Sequence, residues 1–160
     1  MMIRTYVDTD FDQLLDLTIE VFGPFFEQSF RPAVGPTIFH HEHADWREDY
    51  RRQLTGLHDP AANRFVVVAE EGGELVGFTA WRIHPDKRHG EIEFVAVRAS
   101  ARRSHVGTQL CELAFDAMRR AGAQWASLGT GGDDFHAPAR RLYDRLGMTP
   151  FPSVHYYKEL

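Results

Sequence analysis

The alternation of apolar and polar positions predicts the strands of this chain. Residues 64–70 (RFVVVAE) and 75–83 (LVGFTAWRI) are rich in β-branched and aromatic side chains, and the Glu71-Gly-Gly-Glu74 segment between them is typical of a hairpin turn. Residues 91–98 alternate in the same way, which places Glu91 and Glu93 on one face of a strand. Shorter runs predict further strands, giving six to seven in all, at residues 2–7, 124–128 and 150–158.

Apolar residues three and four positions apart predict helices before residue 23 and over residues 44–57, 106–121 and 136–147. Gly23-Pro24 is expected to end the first of them and to begin an irregular loop that runs to residue 43. The resulting order of elements combines an antiparallel meander with two helical crossovers. It predicts an α+β fold in which a mixed, mostly antiparallel sheet carries helices on both faces.

Composition limits the protein class. A chain of 160 residues with 43% hydrophobic and 26% charged residues is typical of a soluble globular protein, and we expect one domain over residues 1–160. It contains no apolar run of the ~20 residues that span a bilayer and no signal-peptide pattern, so we expect a cytoplasmic protein without a membrane partner. The net charge of -5 disfavours nucleic acid and is compatible with a cationic substrate. Cys111 is expected to be a buried apolar residue.

A candidate anion site lies at residues 91–108. A predicted strand is followed by a basic, serine-containing turn, and the turn opens an amphipathic helix at Val106. Free N–H groups and the helix dipole favour an anion at such a helix start, and Arg102 and Arg103 add positive charge. The alternative is an ordinary connection between a strand and a helix with solvated arginines.

No metal site is predicted. The His40-His-Glu-His43 segment lacks the spacing of the helical zinc motif and has no obvious third ligand set, so it is interpreted as a solvated polar loop. The glycine-rich segment at residues 129–134 lacks the lysine of a phosphate-binding P-loop.

Two segments resemble motifs of one family. Residues 96–110 (AVRASARRSHVGTQL) are similar to a strand and pyrophosphate loop with the pattern Gln/Arg-x-x-Gly-x-Gly/Ala, in which Arg102 and Gly107 match and His105 replaces the middle glycine. Residues 136–148 (HAPARRLYDRLGM) are similar to the pattern Asn-x-x-Ala-x-x-Leu-Tyr-x-x-x-Gly-Phe; the matches are Ala139, Leu142, Tyr143 and Gly147, while His136 and Met148 depart from it. On these residues the chain resembles the GCN5-related N-acetyltransferase (GNAT) family.

The resemblance implies a site for acetyl-CoA where the strands at 91–98 and 124–129 splay apart. Main-chain groups of the strand would bind the pantetheine arm, and N–H groups of the following loop would bind the pyrophosphate. The implied donor-binding residues are Val95, Ala96, Val97, Arg102, Arg103, Ser104, His105, Val106, Gly107, Thr108, His136 and Ala139.

The resemblance also implies direct acetyl transfer to an amine. Glu93 and Glu91 are the candidate bases, with Glu93 preferred because it lies nearer the splay; Tyr143 is the candidate acid, and the N–H of Val95 would bind the thioester oxygen. The alternatives are solvated strand carboxylates and a core tyrosine.

The acceptor is expected to be a cationic small molecule. Acids and aromatic residues occur together in the segments outside the motifs, and the predicted substrate-binding residues are Phe26, Glu27, Trp46, Asp49, Trp81 and Asp133. Residues 21–26 and 45–50 resemble aminoglycoside-modifying family members of the kasugamycin 2′-N-acetyltransferase type, which implies antibiotic resistance.

Other acceptors remain open, namely a protein N-terminus, a polyamine or another small amine, as does a non-catalytic acetyl-CoA-binding module. Exposed aromatic residues at Phe151, Tyr156 and Tyr157 are compatible with a homodimer.

Overall fold

Five strands form one mixed sheet in the computed structural model, which describes residues 1–160. In chain order, which is also their order in the sheet, they are β1 (Met2–Thr5), β2 (Arg64–Glu71), β3 (Glu74–His84), β4 (His89–Val97) and β5 (Trp125–Ser127). Strands β1 to β4 are antiparallel, and β5 runs parallel to β4. The mixed, mostly antiparallel sheet expected from the element order is therefore present.

Helices cover both faces of the sheet. They are α1 (Phe11–Pro24), α2 (Arg31–Val34), α3 (Pro36–His43), α4 (Trp46–Leu54), α5 (Val106–Arg120) and α6 (Ala137–Arg145), and a π-helix (Phe25–Phe30) joins α1 to α2. None of these helices combines the length and the apolar character that crossing a membrane would require.

The core consists of two main clusters, one on each face. On the α1 face, Leu14 and Leu17 are buried against Phe78 and Ala96 of the sheet. On the α5 face, a second cluster joins the apolar side of the helix to the sheet, with Val67, Trp81, Ile92, Leu110, Cys111 and Ala114 among its buried members. The sheet therefore buries apolar side chains on both of its faces, and this burial fixes the register of its strands.

The prediction of six to seven strands is wrong, because the sheet has five. The segment 150–158, which was expected to add one or two strands, has no regular secondary structure and is exposed. Pro150 and Pro152 each lack a backbone N–H, which disfavours pairing. The neighbouring strand β5 is only three residues long and offers little edge to pair with.

The prediction of an irregular loop at residues 23–43 is also wrong, because the segment is helical almost throughout. Gly23 is a packing residue and not a helix stop: a Cβ atom at this position would lie 2.6 Å from Cη2 of Trp46. Pro24 is tolerated at the last position of α1, where the chain continues as a π-helix. Such widened turns are uncommon and often occur at functional sites.

A β-bulge at Glu93 shapes the strand that carries the candidate acids. Ala80 of β3 pairs with Phe94 and Trp81 pairs with Ile92, so Glu93 is the extra residue. Ile92 packs on the α5 face, whereas Phe94 packs on the α1 face. The pairing of β4 with β5 covers residues 89–91 only. From Ile92 onwards β4 is not paired with β5, so the two strands separate where the family resemblance implies a splay.

Candidate active site

A cavity of about 340 Å³ lies beside the unpaired part of β4. The wall is built from β4, the start of α5, the helix α6 and the end of α1, which contributes Val21 and Phe22. Most of the predicted donor-site residues meet in this cavity, together with the candidate acid: Val95, Val97, Arg102, His105, Gly107, Thr108, His136, Ala139 and Tyr143.

The other predicted donor-site residues do not direct side chains into the cavity. Ala96 is buried on the α1 face, and Val106 is buried in the α5 cluster. Arg103 and Ser104 are exposed in the turn before α5. These four residues can therefore contribute to a ligand site mainly through their main chain.

His105 adopts the backbone conformation that glycine would favour at the departure from the motif. Its φ of 57° and ψ of 21° lie in the left-handed region. This conformation costs a residue with a Cβ roughly 1–2 kcal/mol. The replacement of glycine by His105 thus does not prevent the backbone from adopting the left-handed conformation. The free N–H groups of the first turn of α5 follow directly after this residue.

Gly107 allows three elements to meet at the inner end of the cavity. A Cβ atom here would lie 3.1 Å from Cδ2 of Leu142 in α6 and 3.6 Å from Cγ2 of Val97 in β4. The first contact is tighter than side chains normally tolerate. The absence of a side chain at Gly107 therefore brings the N-terminus of α5 close to both neighbours.

The glycine-rich loop before α6 holds His136 in place. His136 Nδ1 lies 2.6 Å from Oδ1 of Asp133, and Arg140 Nη1 donates to the carbonyl oxygens of Gly131 and Asp133, both at 2.6 Å. A Cβ atom on Gly131 would overlap both Asp133 and His136. Phe25 packs edge-on against the His136 ring at 4.9 Å. Asp133, which is predicted to contact the acceptor, contacts a residue of the cavity wall, His136.

Tyr143 places its phenol in the cavity with an unusually high proton affinity. Burial, with a smaller contribution from Cys111, raises the pKa of Tyr143 to about 12. The hydroxyl therefore remains a hydrogen-bond donor throughout the neutral and moderately alkaline range. Cys111 itself is buried in the core, and burial raises the pKa of its thiol to about 12, which makes it unreactive.

The two candidate bases lie outside the cavity wall and have different partners. Glu93 lies 3.6 Å from Nη2 of Arg64 and 3.6 Å from Nε of Arg82. Glu91 Oε2 lies 2.9 Å from Nε2 of His84, in a part of β4 that is still paired with β5.

A histidine stack continues from Glu91 along the sheet. The His84 ring stacks on His89 at 5.1 Å, and the His89 ring stacks on Trp125 at 3.8 Å. His89 Nε2 lies 2.7 Å from Oγ of Ser127. Burial lowers the pKa of His89, so the ring is neutral over a wider range of pH than a solvated histidine.

The remaining predicted acceptor residues are not all brought together. Phe26 and Trp46 stack at 5.1 Å, and Trp46 Nε1 donates to Oε1 of Glu27 at 3.2 Å; this hydrogen bond is the main cause that lowers the pKa of Glu27. Asp49 is paired with Arg52 on the surface of α4. Trp81 is buried against Phe65 on the opposite face of the sheet, away from the candidate bases.

The sequence profile of the Acetyltransferase (GNAT) family matches residues 23–148. The chain belongs to this family. The family membership that the motifs implied is confirmed, and enzymes of this family use acetyl-CoA as their donor. The cavity fits this GNAT donor, because it combines an unpaired strand edge with the start of a helix and the positive charges of Arg102, Arg141 and Arg145.

Relatives of this GNAT protein differ in their named substrates. A mycothiol acetyltransferase of Thermomonospora curvata is 33% identical over 139 residues, which are 84% of this chain and 45% of that protein. The chain thus spans less than half the length of that relative.

Among solved structures, an aminoglycoside N-acetyltransferase in complex with CoA has a TM-score of 0.69 at 14% identity, over 99% of this chain and 93% of the other. An aminoglycoside 6′-N-acetyltransferase from Acinetobacter haemolyticus has a TM-score of 0.68 at 15% identity, over 100% and 99% of the two chains. At these identities the likeness extends to the fold alone.

Sequence reasoning missed several residues of the GNAT site. The end of α1 enters the cavity through Val21 and Phe22, and Phe135 and Pro138 line its other side. The helical spacing of Phe11, Leu14 and Phe22 predicts that Phe22 lies on the apolar face of a helix. The pattern does not indicate that the end of this face lines a cavity. Arg64 and Arg82 were also missed, because their proximity to Glu93 depends on strand pairing.

Proposed function

We propose that this GNAT enzyme transfers the acetyl group of acetyl-CoA to a primary amine of a small molecule. The observation that carries the proposal is the single cavity that joins the start of α5, the unpaired edge of β4 and the Tyr143 hydroxyl. An anion site, an open row of main-chain groups and a protonated phenol are the features that binding and cleavage of an acyl thioester require.

The donor would be held mainly by main-chain groups. Residues 92–97 of β4 pair with β3 on one side and have no strand on the other, so their outward N–H and C=O groups are available to a pantetheine amide. The phosphates would meet the free N–H groups at the start of α5, with Arg102 and Arg141 adding positive charge. Bound acetyl-CoA supplies the activated acetyl thioester.

Three groups of this chain divide the chemistry. Glu93, directly or through a water, accepts the proton that the acceptor ammonium must lose. The N–H of Val95 stabilises the negative charge that develops on the thioester oxygen. As the amine nitrogen bonds to the acetyl carbon and the C–S bond breaks, the Tyr143 hydroxyl donates its proton to the departing sulfur. Glu91 is the second candidate base, because its contact with His84 provides a route for the proton.

Aminoglycosides, with the kasugamycin type in particular, are the acceptors that the sequence favours. Support comes from the aromatic residues Phe26 and Trp46 with Glu27 beside them, and from the aminoglycoside acetyltransferases among the proteins of similar fold. Against it, Glu27, Asp49 and Asp133 are each paired within the chain. An aminoglycoside would have to displace these internal partners, so the acceptor panel must also contain other small amines.

The deciding experiment measures thiol release from acetyl-CoA with a panel of amines. The panel contains kasugamycin, 2-deoxystreptamine aminoglycosides, polyamines, amino acids and a short peptide with a free N-terminus. We expect at least one small amine to stimulate release. If none does while acetyl-CoA still raises the melting temperature, the protein is an acetyl-CoA-binding module and the enzymatic proposal fails.

We further propose a cytoplasmic homodimer. Phe151 and Tyr156 are exposed, whereas Tyr157 packs edge-on against Phe30 at 5.4 Å. Light scattering on the purified protein measures the oligomeric state directly, and a monomeric mass at micromolar concentration would exclude the dimer under those conditions.

A further inference from the structure

We propose that the acceptor carries a carboxylate close to its amine, as an α-amino acid does, and that Arg64 and Arg82 bind this carboxylate. The inference rests on the proposed N-acetyltransferase function and narrows its acceptor class.

The two arginines form an unusual pair on the sheet. Arg64 of β2 and Arg82 of β3 occupy directly opposite positions in the strand register. Like charges at such positions repel each other. Glu93, displaced by the bulge, lies near both guanidinium groups and offsets part of this repulsion. Glu93 is thus shared by the two guanidinium groups, whereas the other nearby carboxylate, Glu91, faces Arg82 in the register but makes its contact with His84.

Both guanidinium groups also have unused hydrogen-bonding capacity. Their contacts with Glu93 are 3.6 Å long, beyond the usual 2.7–2.9 Å range of a charge-assisted hydrogen bond, and Arg64 Nε, Arg82 Nε and Glu93 Oε1 have no hydrogen-bond partner. Arg4 is a useful contrast, because it donates to Asp10 at 2.8 and 2.9 Å and to Glu70 at 2.9 Å. The arginine pair is therefore not saturated as an internal ion pair would be.

The arginine pair lies in the same row of residues across the sheet as Glu91, one of the two candidate bases. Arg64 faces Arg82, Arg82 faces Glu91, and Glu91 faces Ser127 at the last pairing before β4 and β5 separate. This polar row lies on the α1 face, because Arg82 lies between Trp81 and Ile83, which pack on the α5 face. The two unpartnered Nε atoms are themselves buried, but the side chains of Arg64 and Arg82 are 24% and 38% exposed, so a ligand can reach another part of each side chain.

The arrangement is complementary to a zwitterion. An α-amino acid carries its ammonium and carboxylate only a few bonds apart. With the ammonium at Glu93, the neighbouring carboxylate would lie beside the two guanidinium groups and could accept paired hydrogen bonds from them. Aminoglycosides carry no carboxylate and would leave the hydrogen-bonding capacity of both guanidinium groups unused.

Matched acceptors test the proposal. Acetylation of phenylalanine, leucine and glutamate is compared with that of their amides and of phenethylamine and isoamylamine, which lack the carboxylate. We expect kcat/KM to be at least tenfold higher for the amino acids. Arg82→Gln and Arg64→Gln should raise the ratio of KM for the amino acids to KM for the plain amines by tenfold or more, while Arg82→Lys should restore part of this ratio.

Arg98→Gln is the control variant, because Arg98 is paired with Glu20 and Glu74 and is not part of the polar row. It should not distinguish the two kinds of acceptor. Equal or better acetylation of the plain amines or of aminoglycosides would overturn the carboxylate proposal and leave the N-acetyltransferase function standing.

A binding measurement decides the case in which no acceptor is turned over. N-acetylphenylalanine, which keeps the carboxylate, is titrated into the complex of the protein with CoA, and its binding is measured by calorimetry. Binding that is lost in the Arg64→Gln/Arg82→Gln variant supports the carboxylate site even though the enzymatic proposal has failed. Absent binding, or equal binding by both proteins, overturns it.

Discussion

Glu91 Oε2 and His84 Nε2 lie 2.9 Å apart across the pairing of β3 with β4, whereas Glu93, two residues further along, contacts only arginines. The two candidate bases can therefore be separated by mutation. Removal of a general base commonly costs 10²–10⁴-fold in rate. We expect Glu93→Gln to lower kcat by about 100-fold and Glu91→Gln by about tenfold or less.

The control for this comparison is His84→Asn, which removes the partner of Glu91 and leaves the carboxylate itself in place. It should behave like Glu91→Gln, with a small effect. A larger loss of kcat in Glu91→Gln than in Glu93→Gln, matched by a similar loss in His84→Asn, would transfer the role of base to Glu91.

Tyr143→Phe should lower kcat by about 10–100-fold and leave the affinity for acetyl-CoA unchanged, because only the proton donor to the departing sulfur is removed. Since the pKa of Tyr143 is about 12, its ionisation should cause no loss of activity below about pH 11. Tyr50→Phe is the matched control: burial raises the pKa of Tyr50 to about 12 as well, but Tyr50 does not line the cavity. Unchanged turnover in Tyr143→Phe would remove this residue from the chemistry.

His105 permits a test of backbone strain with two variants that differ by one Cβ. His105→Gly should be more stable than His105→Ala by about 1 kcal/mol, because glycine adopts a φ near 57° at little cost. Urea unfolding measures the difference. If the main chain holds the phosphates, both variants bind acetyl-CoA with equal affinity; a weaker complex in both would instead assign a direct role to the imidazole.

Gly131 and Gly132 are adjacent but differ in their surroundings. Gly131→Ala should weaken acetyl-CoA binding by tenfold or more, because the new Cβ would displace Asp133 and His136, and His136 forms part of the cavity wall. Gly132→Ala should bind normally, since nothing lies within 4 Å of a Cβ at that position. Calorimetric titration with CoA checks both variants, and an equal loss in the two would indicate a general effect on the loop.

Stability should fall on the alkaline side. The pKa of Cys111 is raised from 9.0 to about 12, and those of Tyr50 and Tyr143 from 10.0 to about 12. Above pH 9 the unfolded chain releases these protons before the folded chain does, so the free energy of unfolding decreases as pH rises. Urea unfolding from pH 8 to 11 measures the decrease. Cys111→Ala, although less stable at pH 8, should lose less stability between pH 9 and 10 than the parent protein.

The strands before residue 98 and the helices that carry the motifs could be predicted from the sequence, because each is indicated by residues close together in the chain. The hairpin over residues 64–84 follows from β-branched residues around a glycine pair, and the helix containing Tyr143 follows from apolar spacing. The bulge at Glu93 could not be predicted, because the sequence still alternates across it. Only the packing of Ile92 and Phe94 on opposite faces reveals the extra residue.

The charged partners in the site were beyond prediction for a different reason. The sequence counts acids and bases but does not say which of them meet. The sequence predicts Glu27, Asp49 and Asp133 as contacts of the acceptor, but it does not predict that each is paired with a basic residue three or four positions away. Gly23-Pro24 was similarly misleading, because a glycine that admits the Trp46 ring and a glycine that ends a helix look alike in sequence.

The single extra residue in β4 also constrains how this gene can change length. Deletion of Glu93 would bring residues 94–97 back into step with β3 and remove the bend that precedes the separation from β5. We therefore expect a deletion of one codon at this position to narrow the opening between β4 and β5 and to weaken acetyl-CoA binding, without altering any side chain that lines the cavity.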